Sequence, residues 1–429
     1  MNSNNNIWSS SSVRNVGKLL SANVLAQAVG LLVYPILTRL YSPEDFGVLN
    51  LFMAIAGIMI LFATLDWNKA IVLPKRDEES CAIVHLSLFI IAIVTVLIAC
   101  TIPFANPIAR LFNVPVFARF YWLLPIYVCL MSLWNVLNYW LIRRTAYGPI
   151  SGYQISQSLF SAGYKTGFGF VGPISGGLVY ATVLAPLCAL IISVSTTARK
   201  HLRPLLTGDR KLCREVASTY RNFPKYSFPH SLINAIAGYL PVLLLTPFFG
   251  ERLVGFWGMA VLLSFVPISM ITNALYQVLY QKTTEQVKAR QSIAHFYRLF
   301  TCYSVAIIVP LFTGLWFILP WLTQWLLGAE WRVTGEYIRW LLPWLLCVFL
   351  CASTGYLFDI FSKQKHGLCF EIIIAIARLI GLAIGIYNNS FVLAIACYAI
   401  AGAVINGAQY VWLMLLVKKY EDSLAHSEQ

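Results

Sequence analysis

The sequence predicts an all-α polytopic membrane protein of about twelve transmembrane helices arranged as two six-helix bundles. Three observations lead there. Of 429 residues, 59% are hydrophobic and 11% charged, with a mean hydropathy of +0.71. A soluble domain carries about 45–50% apolar and roughly 25% charged residues, so this chain cannot coat a water-exposed surface. The apolar residues gather into runs long enough to cross a hydrocarbon core of about 30 Å as helices. The basic residues, 31 against 17 acidic ones for a net charge of +14, are spread over the short connections between those runs. Gathered in a groove, that excess would suit nucleic acid; dispersed in this way it sets membrane orientation. A soluble enzyme is excluded.

In chain order the runs cover approximately 18–40, 46–73, 81–102, 116–142, 149–170, 177–199, 228–249, 254–280, 297–320, 335–358, 366–387 and 389–417. They read as helices because an open sheet leaves its edge unsatisfied in lipid and the runs are too long for barrel strands. With the N-terminus in the cytoplasm, 22 basic residues fall on the cytoplasmic side, six on the other, and Lys69, Lys165 and Arg378 inside runs. That asymmetry predicts two cytoplasmic termini. The polar stretch from Asn2 to Ser12 has no charged region followed by a small-residue cleavage site, so the first run is expected to be an anchor.

The segment 199–227 holds eight basic residues, two acids, Pro204, Gly208 and Pro224, and divides the runs six and six. It is expected to be a cytoplasmic linker between an N-terminal bundle over 1–198 and a C-terminal bundle over 228–429. A weak internal repeat sets Gly47 against Gly255, an offset of 208, with Phe46-Gly47-Val48 facing Val254-Gly255-Phe256. Repeats that both enter from the cytoplasm are parallel, related by an axis along the membrane normal, as in transporters with a cavity between halves. The glycine-rich Gly172 to Gly177 lacks the strand and lysine of a nucleotide loop, so no ATPase is expected. Cys347 and Cys351 stand one turn apart without a histidine at ligand spacing, and most of the ten cysteines read as small hydrophobes. No metal and no cofactor are expected.

An ionisable side chain at membrane depth is expensive and faces protein or a wet cavity. Asp66 and Lys69 are three apart on one helical face, which suits a local salt bridge, snorkelling or a cavity role. Lys165 has no acidic neighbour at helical spacing, and Gln154, Gln157 and Tyr164 make its helix polar. An anionic ligand, an ion pair across helices and snorkelling all remain open for it. Arg378 sits midway in its run, with Glu371 seven residues earlier and Asp359 closing the previous run. It can pair with an acid or bind a phosphate through its fork of donors. Arg39, at the outer end of the first run, reads as a gate, an anchor or an ordinary boundary cation. Trp316, Trp321, Trp325, Trp331, Trp340 and Trp344 suit an interfacial belt, with sugar stacking open to a few of them.

Three stretches then carry a family resemblance. Pro35-Ile36-Leu37-Thr38-Arg39-Leu40-Tyr41-Ser42-Pro43-Glu44-Asp45-Phe46-Gly47 resembles the first-loop signature of the polysaccharide-transport and O-antigen flippase family of the MOP exporter superfamily. Ala70-Ile71-Val72-Leu73-Pro74-Lys75-Arg76-Asp77-Glu78-Glu79 is similar to the end of its second helix. Leu327-Gly328-Ala329-Glu330-Trp331-Arg332-Val333-Thr334-Gly335-Glu336-Tyr337-Ile338-Arg339 resembles the loop before helix ten.

The resemblance implies a MATE-like fold that moves a polyprenyl-pyrophosphate-linked oligosaccharide from the cytoplasmic to the periplasmic leaflet by alternating access. It implies the bacterial inner membrane and a cationic cavity for pyrophosphate and sugar, to which Arg39, Lys69, Lys165 and Arg378 are the matching candidates. Asp66, Asp359 and Glu371 are the candidate charge partners or sites of proton or sodium coupling. Expected partners are the lipid-linked substrate, membrane lipids, and the polymerase and glycosyltransferases of one pathway, with no nucleic acid and a monomeric protein. The nearest rival is a MATE-like, cation-coupled exporter of drugs or small metabolites, which calls for a carboxylate deep in the first half. Export of a peptidoglycan lipid precursor goes with extra spans. A membrane glycosyltransferase needs catalytic carboxylates in a large outer loop, and the segment 321–334 has only Glu330.

Overall fold

The computed structural model describes residues 27–171, 176–197 and 210–427, with 202 and 205 between them. The start of the first run, Arg14 and Lys18, the turn at 172–175 and most of 198–209 lie outside the described residues. Among the described residues every regular element is helical. In order they are α1 (Gln27–Leu40), α2 (Pro43–Thr64), α3 (Trp67–Ala70), α4 (Asp77–Cys100), α5 (Ala105–Leu111), α6 (Leu123–Arg143), α7 (Tyr147–Val171) and α8 (Gly177–Thr197). There follow α9 (Arg210–Thr219), α10 (Phe228–Lys288), α11 (Ala294–Leu327), α12 (Arg332–Thr354), α13 (Leu357–Ile360), α14 (Gln364–Tyr387) and α15 (Phe391–Ser427).

Nine helical segments among the described residues are long and apolar enough to cross a membrane. One of them, Phe223–Lys288, is 66 residues long and is interrupted at Gly250, with φ 77 and ψ 173, so it holds two of the expected crossings. Only glycine adopts that backbone without strain. The 25-residue α7 is long enough to cross but too polar for a hydropathy threshold, and α1 is the described part of the first run. With these three the expected twelve are present. The run expected at 46–73 stops as a helix at Thr64, because Leu65 (φ 45) and Asp66 (φ 59) turn left-handed before α3. The run at 335–358 likewise stops at Thr354, ahead of α13. Hydropathy registers neither the change of φ at Leu65 and Asp66 nor the turn at Gly355 and Tyr356, where φ stays helical.

The chain forms two compact units, Met1–Gly255 and Phe256–Gln429. In the first, α7 pairs with α8, α6 packs on both α2 and α4, and α9 lies against α4. In the second, α15 packs against α12 and α14, and α11 packs against α12. The most apolar stretch of α11 is 11% buried, against 56% for that of 329–354, so most of α11 is left open.

The stretch Ser42–Gly47 starts α2 and fixes a close crossing. Ser42 Oγ accepts from the Asp45 amide at 3.3 Å and Asp45 Oδ2 accepts from the Ser42 amide at 3.1 Å, a reciprocal capping box with Pro43 in the first helical turn. One turn on, a Cβ at Gly47 would strike the Glu251 carbonyl, and a Cβ at Gly255 would strike the Pro43 carbonyl. Residues 43 and 251, like 47 and 255, differ by the offset of 208, so the crossing pairs the two repeat segments reciprocally. Asn50 donates to the Val254 carbonyl at 3.2 Å and Arg252 pairs with Glu44 at 3.1 Å beside it.

A stronger repeat appears once the helices are seen. Trp122-Leu123-Leu124-Pro125 with Cys129 recurs as Trp340-Leu341-Leu342-Pro343 with Cys347. Each copy follows a left-handed residue, Asn113 (φ 57) or Gly328 (φ 111), and a 3-10 turn, Pro115–Phe120 or Ala329–Trp331.

The crossing makes a clear expectation for stability. Gly47→Ala inserts a methyl against main chain that cannot step aside, and should destabilise the protein by about 1–3 kcal/mol. Gly314→Ala, in a helical position with open space around it, should be neutral or stabilise by up to about 1 kcal/mol. Thermal unfolding of both variants in detergent checks the pair; equal melting temperatures would remove the crossing as a constraint.

Candidate functional site

A polar cavity of about 330 Å³ opens in the first unit between α1 and α7. From α7 come Gln154, Gln157, Ser158, Ser161 and Lys165, and from α1 come Gln27, Tyr34 and Leu37. The α7 residues are spaced three and four apart, so one face of a helix supplies them all. Tyr41, at the corner between α1 and α2, donates its phenol to the Lys165 carbonyl at 2.7 Å and pins α7 there. Gly169 and Gly177 leave room for Leu40 and Tyr41 at that corner, where a Cβ would press on either.

The Lys165 side chain is half-buried and no carboxylate among the described residues lies within ion-pair reach of it. The Gln154 side-chain carbonyl is buried without a hydrogen-bond partner among the described residues. A cation and the unpartnered Gln154 carbonyl in one recess suit an anionic, hydroxyl-bearing ligand. Tyr164 belongs elsewhere: its hydroxyl lies 3.2 Å from Cys188 Sγ on α8. Lys165, Gln154 and Gln157 were legible in the sequence. The α1 wall was not, although Gln27, Tyr34 and Leu37 stand at helical spacing and mark a polar-edged stripe.

Asp66 and Lys69 form a separate cluster. Lys69 Nζ donates to Asp66 Oδ2 at 2.8 Å, and the same oxygen accepts from Ser227 Oγ at 2.7 Å and Ser231 Oγ at 2.6 Å. Lys69 also donates to Ser231 Oγ at 2.9 Å. Asp66 is therefore a buried clasp between the turn after α2 and the start of α10, and the local salt bridge is the alternative realised. Arg39 is exposed at the end of α1.

In the second unit the Arg378 guanidinium lies over the Trp344 ring at 4.2 Å and the Tyr398 ring at 5.0 Å. Trp344 also packs on Phe265, and Tyr398 on Trp257, so aromatic side chains enclose this cation. No ion pair joins Arg378 to Glu371, which is exposed, and Arg378 Nε is buried without an acceptor among the described residues. Asp359 is exposed on α13 and accepts from Gln364 at 3.3 Å. In the first unit Lys165 thus lines the α1–α7 cavity while Asp66 and Lys69 form a cluster of their own, Arg378 is enclosed within the second unit, and Arg39, Asp359 and Glu371 are exposed. Among the described residues no group of histidine, cysteine and carboxylate side chains is arranged to hold a metal.

Comparison with known proteins agrees with this architecture. The succinoglycan biosynthesis transport protein ExoT of Rhizobium meliloti (strain 1021) is 22% identical over 329 residues, 74% of this chain. The matched part spans 63% of that relative's length. An inward-facing multidrug resistance MATE family transporter of the MOP superfamily superposes with a TM-score of 0.70 at 17% identity, over 92% of this chain and 96% of that one. A MOP superfamily transporter from Pyrococcus furiosus Vc1 (DSM3638) superposes with a TM-score of 0.59 at 16% identity, over 95% and 96% of the two chains. At such identities the likeness is one of fold. Residues 36–335 match the sequence family described as polysaccharide biosynthesis protein. That match takes in the α7 wall of the cavity and most of the stretches quoted above, and the chain is a multi-pass membrane protein that belongs to this polysaccharide biosynthesis family on the fold of the MOP transporters.

Proposed function

We propose that this protein exports polyprenyl-pyrophosphate-linked oligosaccharide units, carrying them from the cytoplasmic to the periplasmic leaflet of the bacterial inner membrane by alternating access. The observation that carries the reading is Lys165, an ammonium with no ion pair among the described residues, in a polar recess between two membrane helices. Each sugar hydroxyl taken into hydrocarbon without a partner costs several kcal/mol, about 4–8 on a scale that offers no hydrogen bonds. A glutamine- and serine-lined cavity replaces those partners while the prenyl tail stays in lipid. Lys165 of the first unit is the cation proposed to meet the pyrophosphate, Arg378 of the second is a candidate in its own right, and Arg39 serves as an entrance cation. Lys69 is already engaged by Asp66 and Ser231 and contributes less.

The membrane arrangement proposed is a bundle over 1–198, a cytoplasmic linker over 199–227 and a bundle over 228–429, with both termini cytoplasmic. The 22 to 6 distribution of basic residues supports it. The family match and the name of the succinoglycan relative support a polysaccharide cargo. No bond is made or broken, so the protein acts as a transporter and not as an enzyme. It works as a monomer beside the glycosyltransferases and polymerase of its pathway. Proton or sodium coupling is part of the proposal, with Asp66, Asp359 and Glu371 as the carboxylates to examine. Against the drug-exporter reading, Asp66 is spent on a clasp beyond the end of α2.

Four outcomes follow for liposomes holding a fluorescent polyprenyl-pyrophosphate oligosaccharide. Lys165→Gln should slow movement to the opposite leaflet by about tenfold or more, the worth of one charged hydrogen bond, and Lys165→Arg should retain most of it. Lys69→Gln should slow it less than Lys165→Gln. At Arg378, where stacking and a planar fork matter, Arg378→Lys should not rescue. Unchanged rates in the Lys165 variant, with protein folded, reject the cavity assignment; absence of any movement across lipid-linked sugars, with drug transport present, favours the rival exporter. Topology is read separately. In a cysteine-free background, a cysteine at exposed Asn389 should react with an impermeant maleimide added outside cells and one at exposed Lys365 should not; the reverse pattern would invert the orientation.

A further inference from the structure

Each unit carries an apolar groove on its lipid side, and both lie against the repeated Trp-Leu-Leu-Pro sequence. In the first unit Thr95 and Ala99 of α4 face Trp122, Pro125 and Ile126 across about 500 Å³. In the second, Phe312, Trp316 and Phe317 of α11 face Leu342, Pro343 and Leu346 of α12 across about 330 Å³. Two copies of one sequence thus build two grooves of one kind.

The rims differ at the residue just before the repeat. Tyr121 stands there in the first unit, its hydroxyl 2.9 Å from Thr101 Oγ1. In the second unit the position is Arg339. Pro320 has no N–H, so the Trp316 carbonyl four residues earlier loses its helical donor, and Arg339 Nε donates to it instead. Arg339 Nη2 donates to the Phe317 carbonyl at 3.3 Å. Carbonyls orient the guanidinium but leave its charge uncancelled, and no carboxylate among the described residues pairs with it. Trp316 packs edge-on against Trp340 at 6.0 Å, and Trp321 and Trp325 are exposed towards the same end of α11. Exposed tryptophans mark the boundary between hydrocarbon and headgroups. An apolar groove at hydrocarbon depth therefore ends at a held cation at headgroup depth.

We infer that the α11–α12 groove binds an anionic phospholipid, one acyl chain between Phe312 and Leu346 and the phosphodiester against Arg339. The open flank of α11 gives the chain access from the bilayer. This inference stands apart from the transport reading, since it concerns a resident lipid and not the cargo.

The test is native mass spectrometry of the full-length protein taken from nanodiscs of equal phosphatidylglycerol and phosphatidylcholine. Retention of phosphatidylglycerol should exceed that of phosphatidylcholine about fivefold, the effect of one basic residue near a membrane surface. Arg339→Gln should bring the ratio close to one, while Arg110→Gln, a basic residue remote in sequence from the groove, should leave it unchanged. Because Arg339 also serves the helix, Thr313→Trp gives a second route: it fills the groove, leaves the cation, and should remove one bound phosphatidylglycerol. A phosphatidylglycerol bearing a diazirine on its acyl chain should crosslink within 309–317 and 342–346. Equal retention of the two lipids by the unaltered protein, crosslinks confined to other helices, a dimer that covers α11, or replacement of the lipid by polyprenyl phosphate would each overturn the inference.

Discussion

In hydrocarbon no water is at hand for a main-chain group that loses its partner, and the connections of this protein are organised around that shortage. Helices satisfy themselves except at their ends and at prolines, and there specific side chains supply what is missing. Arg143 reaches back from the end of α6 to the Pro74 carbonyl at 2.6 Å, and with Arg144 it holds Asp77 at the start of α4. Ser80 Oγ donates to the Ile71 carbonyl at 2.9 Å in the same loop. At the opening of α11, Glu421 of α15 accepts the amides of Ile293 and Ala294 at 2.6 and 2.9 Å. Arg339 does for a proline carbonyl what these residues do for helix ends.

That constraint explains why much of the fold was legible in the sequence. Long apolar runs can only be helices in lipid, so their number and order follow from hydropathy. Where hydropathy misled, the cause was a backbone turn inside an apolar stretch, as at Leu65 and Asp66. The internal repeat was legible at Gly47 and Gly255 for a physical reason: neither position tolerates a Cβ, so the residue type persisted. The clearer Trp-Leu-Leu-Pro repeat needed the structure, because an insertion separates it from the glycine register.

The family-like stretches prove to be structural. Ser42 to Gly47 caps a helix and sets a crossing, Ile71 to Asp77 is gripped by arginines, and Gly328 to Trp331 turns the chain between two helices around a buried tryptophan. Such parts identify a fold by its turns and crossings. The cavity was legible only on one wall, through Lys165 and the glutamines of α7, since charge in a membrane helix announces itself and a lone tyrosine or glutamine does not. Charge at depth is also an ambiguous sign. Asp66 and Lys69 answer each other, whereas Arg378 is met by aromatic rings, and one sequence pattern covers both outcomes.

The open flank of α11 bears on how sequences of this kind drift. A helix enclosed by protein must keep the shape of each side chain, because its neighbours are close-packed. Lipid fits itself to whatever outline it is offered and rejects only polarity. Exchanges among leucine, isoleucine, valine and phenylalanine should therefore accumulate along α11 at little cost, while α12, enclosed over most of its length, changes slowly. Identity between distant relatives will then fade first where the bilayer is the neighbour, leaving hydropathy as the surviving record of descent.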